Sequence, residues 1–347
     1  MQSTSRQSKE NKRTLTISKI LENNPNSNCE NDKYFLNPRF QNGDLLQKTR
    51  SNVSSGSLDI SRDELSIGNK FGEGAFGIVS KGKWRGYGCV VKMLRDDMSQ
   101  ETSKVAHNCL LSELSILSGI GVHPNLVSFY GACLDDVDMP ILVQEHIEGP
   151  NLQEYLDAKA FEFNLGSARV LRWSLDILSA LHYLHDRDPV IMHRDLKPAN
   201  VVLARNRRRL KLIDFGLAKC FERPRHDGPK LTRVHTMNIS SPCYMAPEVV
   251  TSCVAGAAEY TEKADIYSAA LIVWYLLTGR RPRRRTLPTE RPDVRPAQKR
   301  WAELSEVVER MWAADAGARP SAGECVAALQ GLRVPAPAGC ASGCAMQ

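Results

Sequence analysis

MHRDLKPANVVLARNRRRLKLIDFGLAK, residues 192–219, decides how this chain is read. Its apolar residues fall in two short runs, NVVL and LKLIDF, joined by the basic turn ARNRRR, the pattern of a β-hairpin. Asp195 and Asn200 sit five apart in the loop that enters the first strand, and the second strand returns Asp214 beside Asn200. One carboxylate to orient a hydroxyl, with an Asp and an Asn to hold Mg²⁺, is the minimum set of groups that phosphoryl transfer needs.

Upstream lies GEGAFG, Gly72–Gly77. Alone it is a weak signal: such glycines also open dinucleotide-binding folds, and Asp96 even stands about 20 residues further on. A dinucleotide site needs a helix after the glycines. Here IVSKGKW follows, a strand, so the glycines cap a hairpin whose N–H groups can descend onto phosphate oxygens. An ordinary β-turn is the plain alternative. Next comes CVVKML, with Lys92 inside an otherwise apolar strand, where it needs an anion and a carboxylate within reach. Residues 101–118 read as a helix with Leu110, Leu114 and Leu117 on one face, and Glu113 on that face is the natural partner. Its plain alternative is a solvated helix glutamate.

The rest of the chain frames these groups. Hydrophobic residues make up 42% of the 347 and charged residues 24%, ordinary for a soluble globular protein. A net charge of +7 does not by itself point to nucleic acid. The ten cysteines show no paired framework, no apolar run reaches membrane-span length and the N-terminus is polar, so a soluble, intracellular, cytoplasmic protein is expected. Residues 1–62 are poor in apolar residues and are expected to be disordered, with order starting near Asp63. Strand patterns dominate up to about residue 143, and after Gly149 the chain is mainly helical, with Leu171, Leu175, Leu178, Leu181 and Leu184 striping one long helix. A strand-rich part before a helix-rich part predicts an α+β fold of two lobes sharing a cleft.

Gly-rich loop, VVK, helix glutamate, HRDLKPAN, DFG and APE (Ala246–Glu248) stand in one order, and together they resemble the protein kinase superfamily over residues 63–333. The resemblance implies a bilobal kinase fold, with an N-lobe at 63–143, a hinge at 144–150, a C-lobe at 151–333 and a flexible tail from 334. It implies ATP and Mg²⁺ as cofactors and protein Ser or Thr hydroxyls as substrates. By the same resemblance Gly72, Glu73, Gly74, Ala75, Phe76 and Gly77 cover the phosphates, Phe71 and Val79 pack near the adenine, and Ile78 belongs to the same ATP-binding set. Lys92, held by Glu113, contacts the phosphates. Asp195 orients or accepts the hydroxyl proton and Lys197 steadies the phosphoryl group. Asn200 and Asp214 ligate magnesium. Gln144 is the gatekeeper, and Glu145 and His146 offer hinge backbone. Leu117, Phe129, His193 and Phe215 match the hydrophobic stack of active kinases, Asp265 the anchor of the catalytic loop, and Arg319 the partner of Glu248.

Lys197-Pro198 resembles Ser/Thr rather than Tyr kinases, and HPNLVSFYGACL and GPNLQEYL look most like the tyrosine-kinase-like branch. Some positions depart from the family: Val90 replaces the usual Ala, Ser240-Ser241 the usual Gly-Thr, and Ala269-Ala270 the common Phe-Gly. Eight residues separate Pro282 from Arg291, where relatives carry a longer loop and another helix. A silent pseudokinase scaffold and a dual-specificity kinase remain open. The basic runs Arg205–Arg209 and Arg280–Arg285 lack interleaved aromatics, so no nucleic acid is expected. Thr236, then Thr232, are candidate phosphosites for Arg194 to grip. The C-terminal Cys344-Ala345-Met346-Gln347 fits a prenylation signal, so membrane association is expected only if Cys344 is modified. A monomer is expected.

Overall fold

The computed structural model describes residues 58–73, 77–136, 138–159, 165–204, 208–221, 232–233, 243–255, 259–283 and 290–335. The chain divides into two compact units, one formed up to Gly121 with Ser128–His146, the other from Val122–Val127 and from Ile147 onward.

Five antiparallel strands build the first unit: β1 (Leu65–Glu73), β2 (Ile78–Trp84), β3 (Tyr87–Met93), β4 (Phe129–Cys133) and β5 (Ile141–Glu145), in the order β1-β2-β3-β5-β4. The turn between β2 and β3 is Arg85-Gly86, both at positive φ (49° and 86°), as a two-residue hairpin turn requires. Alternation along β3 puts Cys89 and Val91 into a core with Leu65, Cys133 and Val143, and leaves Val90 and Lys92 on the opposite face. Helix α1 (Gln100–Ile120) starts at Ser99, whose hydroxyl accepts the Thr102 N–H, and buries Leu110, Leu114 and Leu117 as its spacing predicts.

Order begins before Asp63. The Ala132 N–H donates to Leu58 O and the Ile60 N–H to Ala132 O, each over 2.9 Å, so Leu58–Ile60 pairs in parallel with the outer side of β4. Ile60 joins the core, 3% exposed. The close approach depends on Gly131 (φ 150°), where a Cβ would lie 2.2 Å from Leu58 O. The polar composition of the surrounding segment hides this short apolar anchor.

The second unit is mainly helical: α2 (Leu152–Ala158), α3 (Ser167–His185), α4 (Pro247–Ala255), α5 (Lys263–Thr278), α6 (Arg295–Arg300), α7 (Ala302–Met311) and α8 (Ala322–Gln330). It also holds strand pairs β6 (Val190–Met192) with β9 (Lys219–Phe221), β7 (Val201–Leu203) with β8 (Leu210–Leu212), and β10 (Thr232–Arg233) with β11 (Glu259–Tyr260). The hairpin expected from NVVL and LKLIDF is β7–β8. On α3 the buried face runs through Val170, Trp173, Ile177, Leu178, Leu181 and Leu184, so Leu171 and Leu175 are only half-buried. Every residue of α5 from Ala264 to Leu277 is buried, which makes it the axis on which the other elements are hung. Ala269 and Ala270 lie within that core, fully buried. Past Pro282 the short segment leads into the six-residue α6. Among the described residues no cysteine is in a disulfide and no helix is long and apolar enough to cross a membrane.

Candidate active site

In the first unit, Lys92 Nζ donates to Glu113 Oε2 over 2.6 Å. The lysine is 22% exposed and the glutamate 2%. Lys92 therefore sits on the open face of β3, not in its core, and the buried member of the pair is the carboxylate. Val90 faces Gln144 directly across β3 and β5, and Gln144 is buried. Gly72 and Glu73 pair with Val79 and Ile78, while Gly74, Ala75 and Phe76 lie outside the described residues. Phe71 is half-exposed beneath the Lys81 ammonium. Glu145 accepts the Ser128 N–H, and His146 ends the unit. Leu117 is buried and Phe129 opens β4.

In the second unit the three polar groups of the opening stretch converge. Asp195 Oδ2 accepts from Lys197 Nζ at 2.6 Å and from Asn200 Nδ2 at 2.9 Å, and Asn200 Nδ2 also donates to Asp195 O at 2.8 Å. A tight turn, Pro198–Asn200, supplies this geometry, its proline pre-set for the first helical position. The Ile213 N–H donates to Asn200 O over 3.0 Å, which brings Asp214 alongside Asn200. Asp214 is held at φ 64°, with the Gly216 N–H on its Oδ1. The His193 ring lies 3.1 Å from Ile213 O through Nε2 and packs on Phe215 at 5.2 Å.

Asp265, 2% exposed, organises the loop from below. Its Oδ2 accepts the His193 N–H and its Oδ1 the Arg194 N–H, both at 2.9 Å. Burial pushes the Asp265 carboxyl up, but the His185 imidazole, 2.9 Å from Oδ2, and the backbone donors more than offset it, so its pKa stays below the usual value. Arg319 grips Glu248 as a fork, Nη1 to Oε1 at 2.6 Å and Nη2 to Oε2 at 2.8 Å, over the buried Tyr267 ring.

Other supports escaped the sequence reading. Asp176 on α3 accepts the Leu210 N–H over 2.9 Å, and Asn125 Nδ2 donates to Leu210 O over 2.9 Å, so both sides of β8's first residue are held. An acid inside the apolar stripe LRWSLDILSAL was the available signal, of the same kind as Lys92 in its strand. Ser268 Oγ donates to Tyr244 O, and His185 had no local pattern at all. Of the proposed phosphosites, Thr232 lies on β10 by its backbone, and Thr236 lies outside the described residues, as do Ser240, Ser241 and Cys344.

The sequence model of the protein kinase domain matches residues 65–329. The chain is 32% identical over 286 residues to the putative serine/threonine-protein kinase/receptor R831 of Acanthamoeba polyphaga mimivirus, covering 78% of this chain and 16% of that protein. It is 31% identical over 272 residues to the seven transmembrane domain-containing tyrosine-protein kinase 1 of Dictyostelium discoideum, covering 75% and 37%. With human mitogen-activated protein kinase kinase kinase 7 it shares 33% over 225 residues, covering 65% and 33%. The chain belongs to the protein kinase family. It spans 16% to 37% of the length of these relatives. The kinase domain implies use of ATP and a divalent metal. The residues present fit such an ion. Asn200 spends its amide N–H on Asp195, which leaves its side-chain Oδ1 as a hard oxygen donor, and the Ile213–Asn200 backbone bond brings in Asp214, the next residue, whose carboxylate is a second.

Proposed function

We propose that the chain is an active serine/threonine protein kinase that moves the γ-phosphate of Mg-ATP to protein hydroxyls. The observation that carries this reading is the Asp195 carboxylate, held at once by Lys197 and Asn200 on a loop fixed to Asp265. Asn200 and Asp214 would hold Mg²⁺, which when bound neutralises phosphate charge. Asp195 orients the incoming hydroxyl and takes its proton, with one oxygen already committed to Lys197 and Asn200. Lys197 brings a positive charge beside that carboxylate, where negative charge gathers during transfer. Lys92, braced by Glu113, presents its ammonium to the nucleotide phosphates. Lys197-Pro198 supports Ser and Thr as acceptors.

Incubation of the full chain with labelled ATP, Mg²⁺ and a panel of proteins, followed by phospho-residue identification, tests this. Phosphoserine and phosphothreonine are expected, with Asp195→Asn losing about 10²–10⁴ in rate. Wild-type rates in Asp195→Asn would reverse the assignment. The sequence further supports phosphorylation at Thr236 first and Thr232 second as an activating step, read by mass spectrometry of active protein.

A further inference from the structure

Asp265, Ser268 and Tyr275 recur along α5 at spacings of three and seven, which places them on one face of that helix. Each holds a different part of the second unit. Asp265 holds the backbone of His193 and Arg194, directly before Asp195. Ser268 Oγ donates to Tyr244 O over 2.8 Å, just ahead of Ala246–Glu248. The Tyr275 hydroxyl donates to Asp157 Oδ1 of α2 over 3.1 Å, and Gln153 Nε2 donates to the same oxygen over 2.8 Å. At 1.5 Å per residue the Tyr275 end lies about 15 Å along the axis from the Asp265 end.

Beyond the left-handed cap Gly279 the chain emerges as Arg280, Arg281 and Arg283, all exposed, around a buried Pro282. Arg281 lies close enough to the Tyr244 and Tyr275 phenols to draw their pKa values down, against the burial that pushes Tyr275 up to about 12. Tyr244 is 5% exposed, and its hydroxyl makes no hydrogen bond among the described residues. The carboxylates nearby have their own partners: Asp157 takes Tyr275 and Gln153, and Asp293 is bridged twofold by Arg295. Among the described residues none of the three arginines forms an ion pair.

We propose that Arg281, with Arg280 and Arg283, selects protein substrates carrying a carboxylate or phosphate several residues from the target hydroxyl. An extended peptide advances about 3.3 Å per residue, so 15 Å corresponds to roughly four to six positions from the residue at Asp195. This surface collects cations at the far end of the same helix whose near end fixes the catalytic loop. An acidic side chain there meets guanidinium forks, and a basic one meets repulsion. The inference rests on the kinase reading and names its substrate class.

The test uses the full chain and a neutral peptide with one serine, into which Asp, phosphoserine or Lys is placed singly at each of the six positions on either side. At one position from about four to six residues away, Asp and phosphoserine are expected to raise kcat/KM about 5–10-fold over the neutral parent, through KM. Lys at that position lowers it. Arg281→Glu combined with Arg283→Glu inverts the order of Asp and Lys relative to each enzyme's own neutral parent, and Arg281→Lys preserves it. A gain with phosphoserine alone assigns the surface to phosphate. A flat scan, or an Asp preference that survives the double substitution, overturns the inference while leaving the kinase intact. Absence of transfer to any peptide or protein, with wild type equal to Asp195→Asn, overturns the kinase reading instead.

Discussion

Asp265 receives the Arg194 N–H over 2.9 Å while Arg194 is held at φ 67°. A non-glycine residue in the left-handed region is strained by about 1–3 kcal/mol, so the loop keeps this shape only because its surroundings fix it. Asp265→Asn keeps the volume but turns one acceptor into a donor facing the loop. We expect kcat to fall about 10²-fold, with the KM for ATP nearly unchanged, since the loss is of aim rather than of nucleotide contact. Steady-state kinetics on a folded variant checks this, and an unchanged kcat would remove Asp265 from the positioning role.

Lys92 and Glu113 differ in burial, and the asymmetry predicts unequal variants. Lys92→Met strands a nearly buried carboxylate, so we expect a loss of stability of about 3 kcal/mol as well as of nearly all transfer. Glu113→Gln leaves a neutral amide in the same place and should unfold later in urea than Lys92→Met, though it too loses activity. If Lys92→Met proved the more stable of the two, the ion pair would not be the reason Glu113 is buried.

Arg319 is almost fully buried, and besides Glu248 it donates through Nε to Ala313 O over 2.9 Å. Arg319→Ala leaves several acceptors without donors and is expected to lower stability by about 3–5 kcal/mol. Arg319→Lys keeps the charge but cannot reproduce the fork and should fall between. Urea midpoints order the three proteins, and equal midpoints for Ala and Lys would deny the fork its role.

Two buried aspartates oppose each other in pH dependence. Burial raises the Asp176 pKa above its ordinary value, only partly countered by the Leu210 N–H, Asn125 and Arg209. Its charged form therefore opposes folding, and the penalty grows as pH rises from about 4 through the raised value. Asp265, lowered overall, contributes stability at neutral pH that is lost as pH falls below the ordinary carboxylate range. Asp176→Asn can still accept the Leu210 N–H, so we expect a higher Tm than wild type at pH 7 and little difference near pH 4. A Tm gap independent of pH would contradict the raised pKa.

The sequence disclosed what depends on neighbours along the chain. The hairpin that sets Asn200 near Asp214 and the helix face of Leu110, Glu113 and Leu117 were legible because spacing sets them, and the Lys92–Glu113 pair because a lysine in an apolar strand needs a carboxylate. Partners brought together only by folding were not, except where the family resemblance supplied them, as for Arg319 with Glu248 and Asp265 with the catalytic loop. Asp157 and Tyr275 are 118 residues apart, and Asp176 and Leu210 are 34 apart, so nothing near either aspartate in the sequence names its partner. Leu58–Ile60 was lost for a related reason: Asp59 separates its two apolar residues, which leaves no run to stand out from a polar segment.

That small anchor bears on where this protein can be cut. The protein kinase domain match starts at Leu65, and a gene designed to that boundary would delete the residues paired with Ala132. The Ala132 amide and carbonyl would then be bare on an outer strand, beside the vacated seat of Ile60. An unprotected edge of this kind recruits other chains. Such a fragment would be expected to clump during purification even with every catalytic group in place, and adding seven residues at its front would restore a well-behaved protein.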